Sequence, residues 1–142
     1  MDWTVTEKEG IYAQATIARD KSTYLTSRHF RNELRLYHEE FYKEFCTLAE
    51  STWPGIRIGE LSFDDSNYSL LIRDTDFAAE IGAMGSGLQM WLQIVWFICK
   101  SKDASTIILD EPDVYMHPDM QKRILRLAQE RFDQVIIATH SV

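Results

Sequence analysis

Two acids close an apolar run in the last third of the chain: Thr106-Ile107-Ile108-Leu109 leads directly into Asp110-Glu111-Pro112. At the end of a strand such a pair can divide its work. The first carboxylate holds Mg²⁺, usually through water, and the second polarises a water for attack on a γ-phosphate. A second run, Val135-Ile136-Ile137-Ala138, ends in Thr139-His140-Ser141. If the two strands lie side by side, His140 meets the same phosphate or the attacking water. Upstream, Gly82-Ala83-Met84-Gly85-Ser86-Gly87-Leu88-Gln89 ends where a helix begins. Backbone amides at a helix start, freed of side chains by glycine and joined by a serine hydroxyl, form an anion site. Gly82 and Gly87 have the G-x-x-x-x-G spacing of a phosphate loop, but Leu88 and Gln89 stand where Lys and Ser/Thr are required. No other glycine pair precedes Lys-Ser or Lys-Thr. The same glycines also read as plain turn residues.

These residues need a scaffold, and the hydrophobic pattern supplies one. Both apolar runs read as buried strands, and Pro118 to Phe132 between them reads as an amphipathic helix with Met120, Ile124, Leu127 and Ala128 inward. Strand, helix, strand predicts a right-handed crossover between parallel strands, with both C-terminal ends at one rim. From about Leu88 to Lys100 the apolar residues cover most of the circumference of a helix, which predicts burial on more than one side. Further upstream, Phe30, Leu34, Tyr37, Phe41, Phe45 and Leu48 recur at helical steps from about Ser27 to Ser51, and Trp53-Pro54-Gly55 ends that helix. Arg28, Arg31 and Arg35 share one face of it, interleaved with Glu33, Glu39 and Glu40, which reads as a solvated surface. Ile56 to Phe63 and Tyr68 to Ile72, joined by Asp64-Asp65-Ser66-Asn67, predict a β-hairpin.

Composition narrows the classes. The 142 residues hold 15 Lys+Arg and 22 Asp+Glu, a net charge of −7, and this acidic balance argues against wrapping nucleic acid by bulk charge. An apolar share of 45% with six glycines and three prolines describes one globular unit. The run from Leu88 to Cys99 is too short and too interrupted to span a bilayer, which takes about 20 apolar residues. Cys46 and Cys99 make no disulfide framework, and a reducing, cytoplasmic setting fits.

The order Gly85-Ser86-Gly87-Leu88-Gln89, Ile107-Ile108-Leu109-Asp110-Glu111-Pro112, His117-Pro118-Asp119-Met120-Gln121 and Ala138-Thr139-His140-Ser141 resembles the C-terminal half of ABC-type ATPase domains. More narrowly, it resembles the AAA ATPases of the overcoming-lysogenization-defect (OLD) type, related to the heads of SMC and recombination proteins. The resemblance spans about residues 77–142. It implies an α/β, P-loop NTPase-like fold in which residues 1–76 give the helical segment and hairpin, and 77–142 the signature, Walker B and switch-histidine region.

The same resemblance implies roles. Ser86, Gly87 and Gln89 are the signature motif, touching the γ-phosphate of ATP on an opposite protomer. Asp110 serves Mg²⁺, Glu111 the hydrolytic water, and His140 senses the γ-phosphate. Residues 113–121 take the place of the D-loop. The implied cofactors are ATP and Mg²⁺. The implied partner is a second ATPase head, either another copy or a Walker A-bearing chain, with DNA contacted by the full-length protein and no membrane. The family's Walker A and Q-loop lie N-terminal to a helical insertion and have no match in these residues, so the chain is expected to start in mid-domain, with any nuclease domain after Val142. Uncovered apolar surface and self-association are expected of such a piece.

Two other readings stand beside this one. In the first, the chain is a non-hydrolysing module that lends its signature face to a partner. In the second, Asp110, Glu111, Asp113, His117 and His140 form a hydrolase metal site, but no spacing fixes two ligands on one helical turn. His117, before a proline, reads as a loop or cap residue with no chemistry, and both cysteines as buried apolar residues.

Overall fold

The computed structural model describes residues 9–10, 29–64, 67–113 and 115–140. The long helix expected over 27–51 forms in two pieces. Helix α1 (Phe30–Leu36) and helix α2 (Lys43–Thr52) are joined by a π-helical turn over His38–Tyr42. The wide turn falls where consecutive aromatics, Phe41 and Tyr42, are both buried, and there the Tyr42 hydroxyl donates to the Gly59 carbonyl while its ring stacks on His38. After Trp53 the chain turns at Gly55, whose φ of +92° lies in the left-handed region open to glycine.

Strands β2 (Ile56–Asp64) and β3 (Asn67–Asp74) form the predicted hairpin, with a register shift between Ile58 and Leu61. The sheet is larger than the hairpin. The turn after Asp74 returns the chain as β4 (Phe77–Glu80) along the other edge of β3, and the short β1 (Glu9–Gly10) pairs with the start of β3. A 3-10 turn (Ile81–Ala83) then leads into helix α3 (Ser86–Lys100), which is buried on nearly all sides as its composition predicts.

Strand β5 (Thr106–Asp110), helix α4 (Pro118–Arg131) and strand β6 (Gln134–Ala138) give the expected βαβ unit, with β5 and β6 parallel and in register from Thr106–Gln134 to Asp110–Ala138. The strands are not buried on both faces, as their unbroken apolar runs suggested. Ile107 and Leu109 face the core, whereas Ile108 is 63% exposed and Ile136 is 44% exposed. Only one side of this pair is covered by the described residues. One core joins all these elements, from Phe30, Leu34 and Phe45 through Ile56, Leu70 and Ile72 to Trp91, Ile107 and Ile124. Among the described residues, no helix is long and apolar enough to cross a membrane.

The solvated basic face on the long helix is a second correction. Arg28 lies outside the described residues and Arg35 is exposed, but Arg31 is fully buried and Glu33 nearly so. Each has found a charged partner far along the chain. Arg31 pairs with Glu80, and Glu33 accepts from Trp96 and from Lys100. Interleaved charges on a helix look solvated in sequence because nothing local shows which of them meets its counter-charge in the core.

Candidate functional site

The rim at the C-terminal ends of β5 and β6 is held together by cross-links from one strand end to the other. The Glu111 N–H donates to the Ala138 carbonyl at 2.7 Å, extending the parallel ladder by one bond. Glu111 Oε1 meets His140 Nδ1, and the Thr139 hydroxyl donates to Asp113 Oδ2 at 2.8 Å. Asp110, the last residue of β5, is exposed at the same rim. The structure therefore joins Glu111 to His140 and leaves Asp110 exposed at the same rim; Ser141 lies outside the described residues.

Glu111 has φ +48°, a left-handed conformation that a branchless glycine adopts freely and a glutamate adopts at a cost. The sharp bend turns its side chain from the strand toward His140. The loop that follows is pinned from α4: the Gln121 amide donates to the carbonyls of Asp113 and Met116 at 3.2 and 3.1 Å. His117 caps that helix, its ring accepting from the Asp119 N–H, with Pro118 in the first turn. Of the loop and cap roles that the sequence leaves open, the cap is the one it takes. The sequence does not mark Gln121 and Asp113 as organisers of this loop, since a glutamine at helix position four carries no distinctive signal of its own.

The glycine turn is built to a similar standard. Gly85 caps α3, and its carbonyl accepts from the N–H groups of Leu88 and Gln89. Ser86 is exposed at the helix start. Gln89 points inward: it is 6% exposed, and its amide donates to the carbonyls of Gly82 (3.2 Å) and Met84 (2.7 Å), so it holds the turn from beneath. Gly87 is required by a close approach, because a Cβ there would lie 2.8 Å from the Tyr115 carbonyl oxygen. That contact joins the turn to the loop that leaves the two acids, and Tyr115 itself has φ +65°.

For chemistry, the rim offers oxygen donors and one imidazole. A single exposed carboxylate with a phosphate oxygen and waters suits Mg²⁺, which keeps several waters and takes few protein ligands. Among the described residues, no three His, Cys, Asp or Glu side chains converge to hold a metal by themselves. A cavity of about 290 Å³ lies nearby, between α4 and β6, lined by Pro112, Asp113, Gln121, Leu125, Ile137 and Thr139. Burial pushes the thiols of Cys46 and Cys99 up to about 12, with Glu50 and Glu44 respectively adding to the shift. Neither thiol is a nucleophile at neutral pH.

A family model described as "AAA domain, putative AbiEii toxin, Type IV TA system" matches residues 6–142. No curated protein matches the chain. Among solved structures, one from work on the structural biochemistry of ATP-driven dimerization and DNA-stimulated activation of SMC ATPases is 18% identical. It superposes with a TM-score of 0.63 over 78% of this chain and 73% of that one. The Pyrococcus furiosus Smc head domain with an extended coiled coil, bound to the C-terminal domain of ScpA, gives 17% identity and a TM-score of 0.59 over 78% of this chain and 30% of that one. The Pyrococcus yayanosii Smc head with a coiled coil and joint gives 20% and 0.59, over 80% and 24%. The chain thus spans most of the first structure but less than a third of the two Pyrococcus chains. The shared feature is the fold, a mixed α/β arrangement of the P-loop NTPase type seen in SMC ATPase heads.

Proposed function

The chain belongs to this AAA-domain family, and from that premise we propose that it is the signature and Walker B part of an ATP-hydrolysing head of the ABC/SMC class, in its finer features of the OLD type. The observation that carries the reading is the rim itself: Asp110, Glu111 and His140 gathered at the ends of adjacent parallel strands. Asp110 would hold Mg²⁺, which supplies charge neutralisation at the β- and γ-phosphate oxygens when bound. Glu111 accepts a proton from the attacking water, and His140, bonded to that carboxylate, fixes its direction and meets the γ-phosphate. Ser86 with the free amides of α3 faces the γ-phosphate of a nucleotide held by the opposite head. Gly87 keeps that turn against the loop following the acids, so each site senses the other through Tyr115.

The chain contains no Gly-x-x-x-x-Gly-Lys-Ser/Thr, so in this reading a second segment or chain supplies the phosphate grip. Two nucleotides are then sandwiched between two heads. DNA as a target of the assembly follows by analogy with the SMC ATPases, whose activation is described as DNA-stimulated.

The test is steady-state phosphate release by the complete head, with the lysine-bearing segment present. Glu111→Gln lowers kcat by about 10²–10⁴-fold with little change in KM for ATP, as removal of a general base does. Unchanged turnover would leave Glu111 only a binding role and rule it out as the base.

A further inference from the structure

A buried charge pair is a poor way to stabilise a core, because desolvation offsets most of its attraction and apolar residues of similar size do as well or better. In the Arg31–Glu80 pair the arginine is fully buried while the Glu80 side chain keeps 30% of its surface, so the desolvation cost falls mainly on the guanidinium, and the connections of the pair supply a further reason for it. Arg31 sits in the first turn of α1 with no exposed surface, and grips Glu80 with one edge of its guanidinium, a two-pronged contact: Nε to Oε1 at 2.8 Å and Nη2 to Oε2 at 2.7 Å. The same carboxylate accepts from the Leu70 N–H of β3 at 3.2 Å and from the Gly82 N–H at 2.7 Å. One carboxylate thus joins the helix, the sheet and the start of the glycine turn.

The turn is held again from the other side. Gln89 donates to the Gly82 carbonyl, so both polar groups of that peptide residue are fixed, the N–H by Glu80 and the carbonyl by Gln89. Two residues beyond Arg31, Glu33 reaches the far end of α3 through Trp96 Nε1 at 3.0 Å and through Lys100. Helix α1 therefore grips the C-terminal part of α3 directly, and the turn before α3 through Glu80.

We infer that Arg31 and Glu80 are positioning residues for the phosphate-facing turn: the guanidinium orients the carboxylate that holds Gly82, and so sets where Ser86 and the free amides of α3 stand. The assignment of phosphate to that turn rests on the proposed function; the positioning itself does not.

Three variants of the complete head decide it: Arg31→Lys, which keeps charge but loses the fork, Glu80→Gln, and the apolar double variant Arg31→Met with Glu80→Leu. Amide hydrogen exchange is read at 82–89 and at 92–98, beside thermal unfolding and ATP turnover. Exchange at 82–89 rises about tenfold or more in every folded variant while 92–98 stays protected, and kcat falls about tenfold or more with KM little changed. The double variant, which removes the charge pair but also leaves the Leu70 and Gly82 N–H groups without their acceptor, stays folded with a modestly lowered unfolding temperature and still shows both defects. Unchanged exchange at 82–89, or a rise spread evenly over both segments, overturns the inference, and if the single variants fail to fold the double variant decides alone. A wild-type head that releases no phosphate would refute the proposed function, and the exchange result would still decide the positioning.

Discussion

At the scale of residues, the most exacting feature is the backbone of Glu111. A glutamate at φ +48° is held there against its preference, which costs about 1–3 kcal/mol. Glu111→Gly is therefore expected to raise stability by about 1 kcal/mol while abolishing ATP turnover, measured by urea unfolding and phosphate release. A loss of stability would show that the conformation is not strained. Gly87 is the converse case. Gly87→Ala puts a methyl 2.8 Å from the Tyr115 carbonyl and should cost about 1–3 kcal/mol and turnover together, since the loop after the acids must move. The cysteines give a pH signature. Their folded pKa values lie near 12, above the ordinary 9.0, so the protonated thiols favour the fold; that stability is complete below about pH 9 and is lost as pH rises toward 12. Serine at both positions should flatten the alkaline limb of a Tm–pH profile.

At the scale of elements, the sequence disclosed those whose cause is local. Periodicity gave α3 and α4, alternation gave the β2–β3 hairpin, and the apolar runs ending in polar residues gave the parallel β5–β6 pair with its acids and histidine at one rim. What stayed hidden depends on contacts between distant segments. The π-helical turn at His38–Tyr42 answers to Gly59 on β2, and the burial of Arg31 and Glu33 answers to Glu80, Trp96 and Lys100, none of which a helical wheel displays. The inward set of Gln89 was hidden for the same reason. These pairs set the element-scale prediction: Glu33→Ala leaves Lys100 and Trp96 without their acceptor and should destabilise by about 3 kcal/mol, whereas Glu39→Ala on the exposed side of the same segment should stay within about 0.5 kcal/mol. Equal effects from the two would contradict the buried network.

At the scale of the whole molecule, the described residues leave one face of the β5–β6 pair uncovered, with Ile108 and Ile136 in contact with solvent. Apolar strand surface of this kind drives association, so the 142-residue chain by itself should self-associate with concentration in light scattering, and Ile108→Lys with Ile136→Lys should shift it toward monomer. In the proposed assembly this chain contributes the acids, the histidine and the phosphate-facing turn, and a lysine-bearing segment contributes the grip on the nucleotide. The measurement that tests this most directly is the identity of the nucleotide retained by the complete head after incubation with Mg²⁺ and ATP. The account predicts ADP on the wild-type head and unhydrolysed ATP on Glu111→Gln, because the variant keeps the binding surfaces and loses the proton acceptor. ADP on both would contradict the assignment of Glu111 as the base.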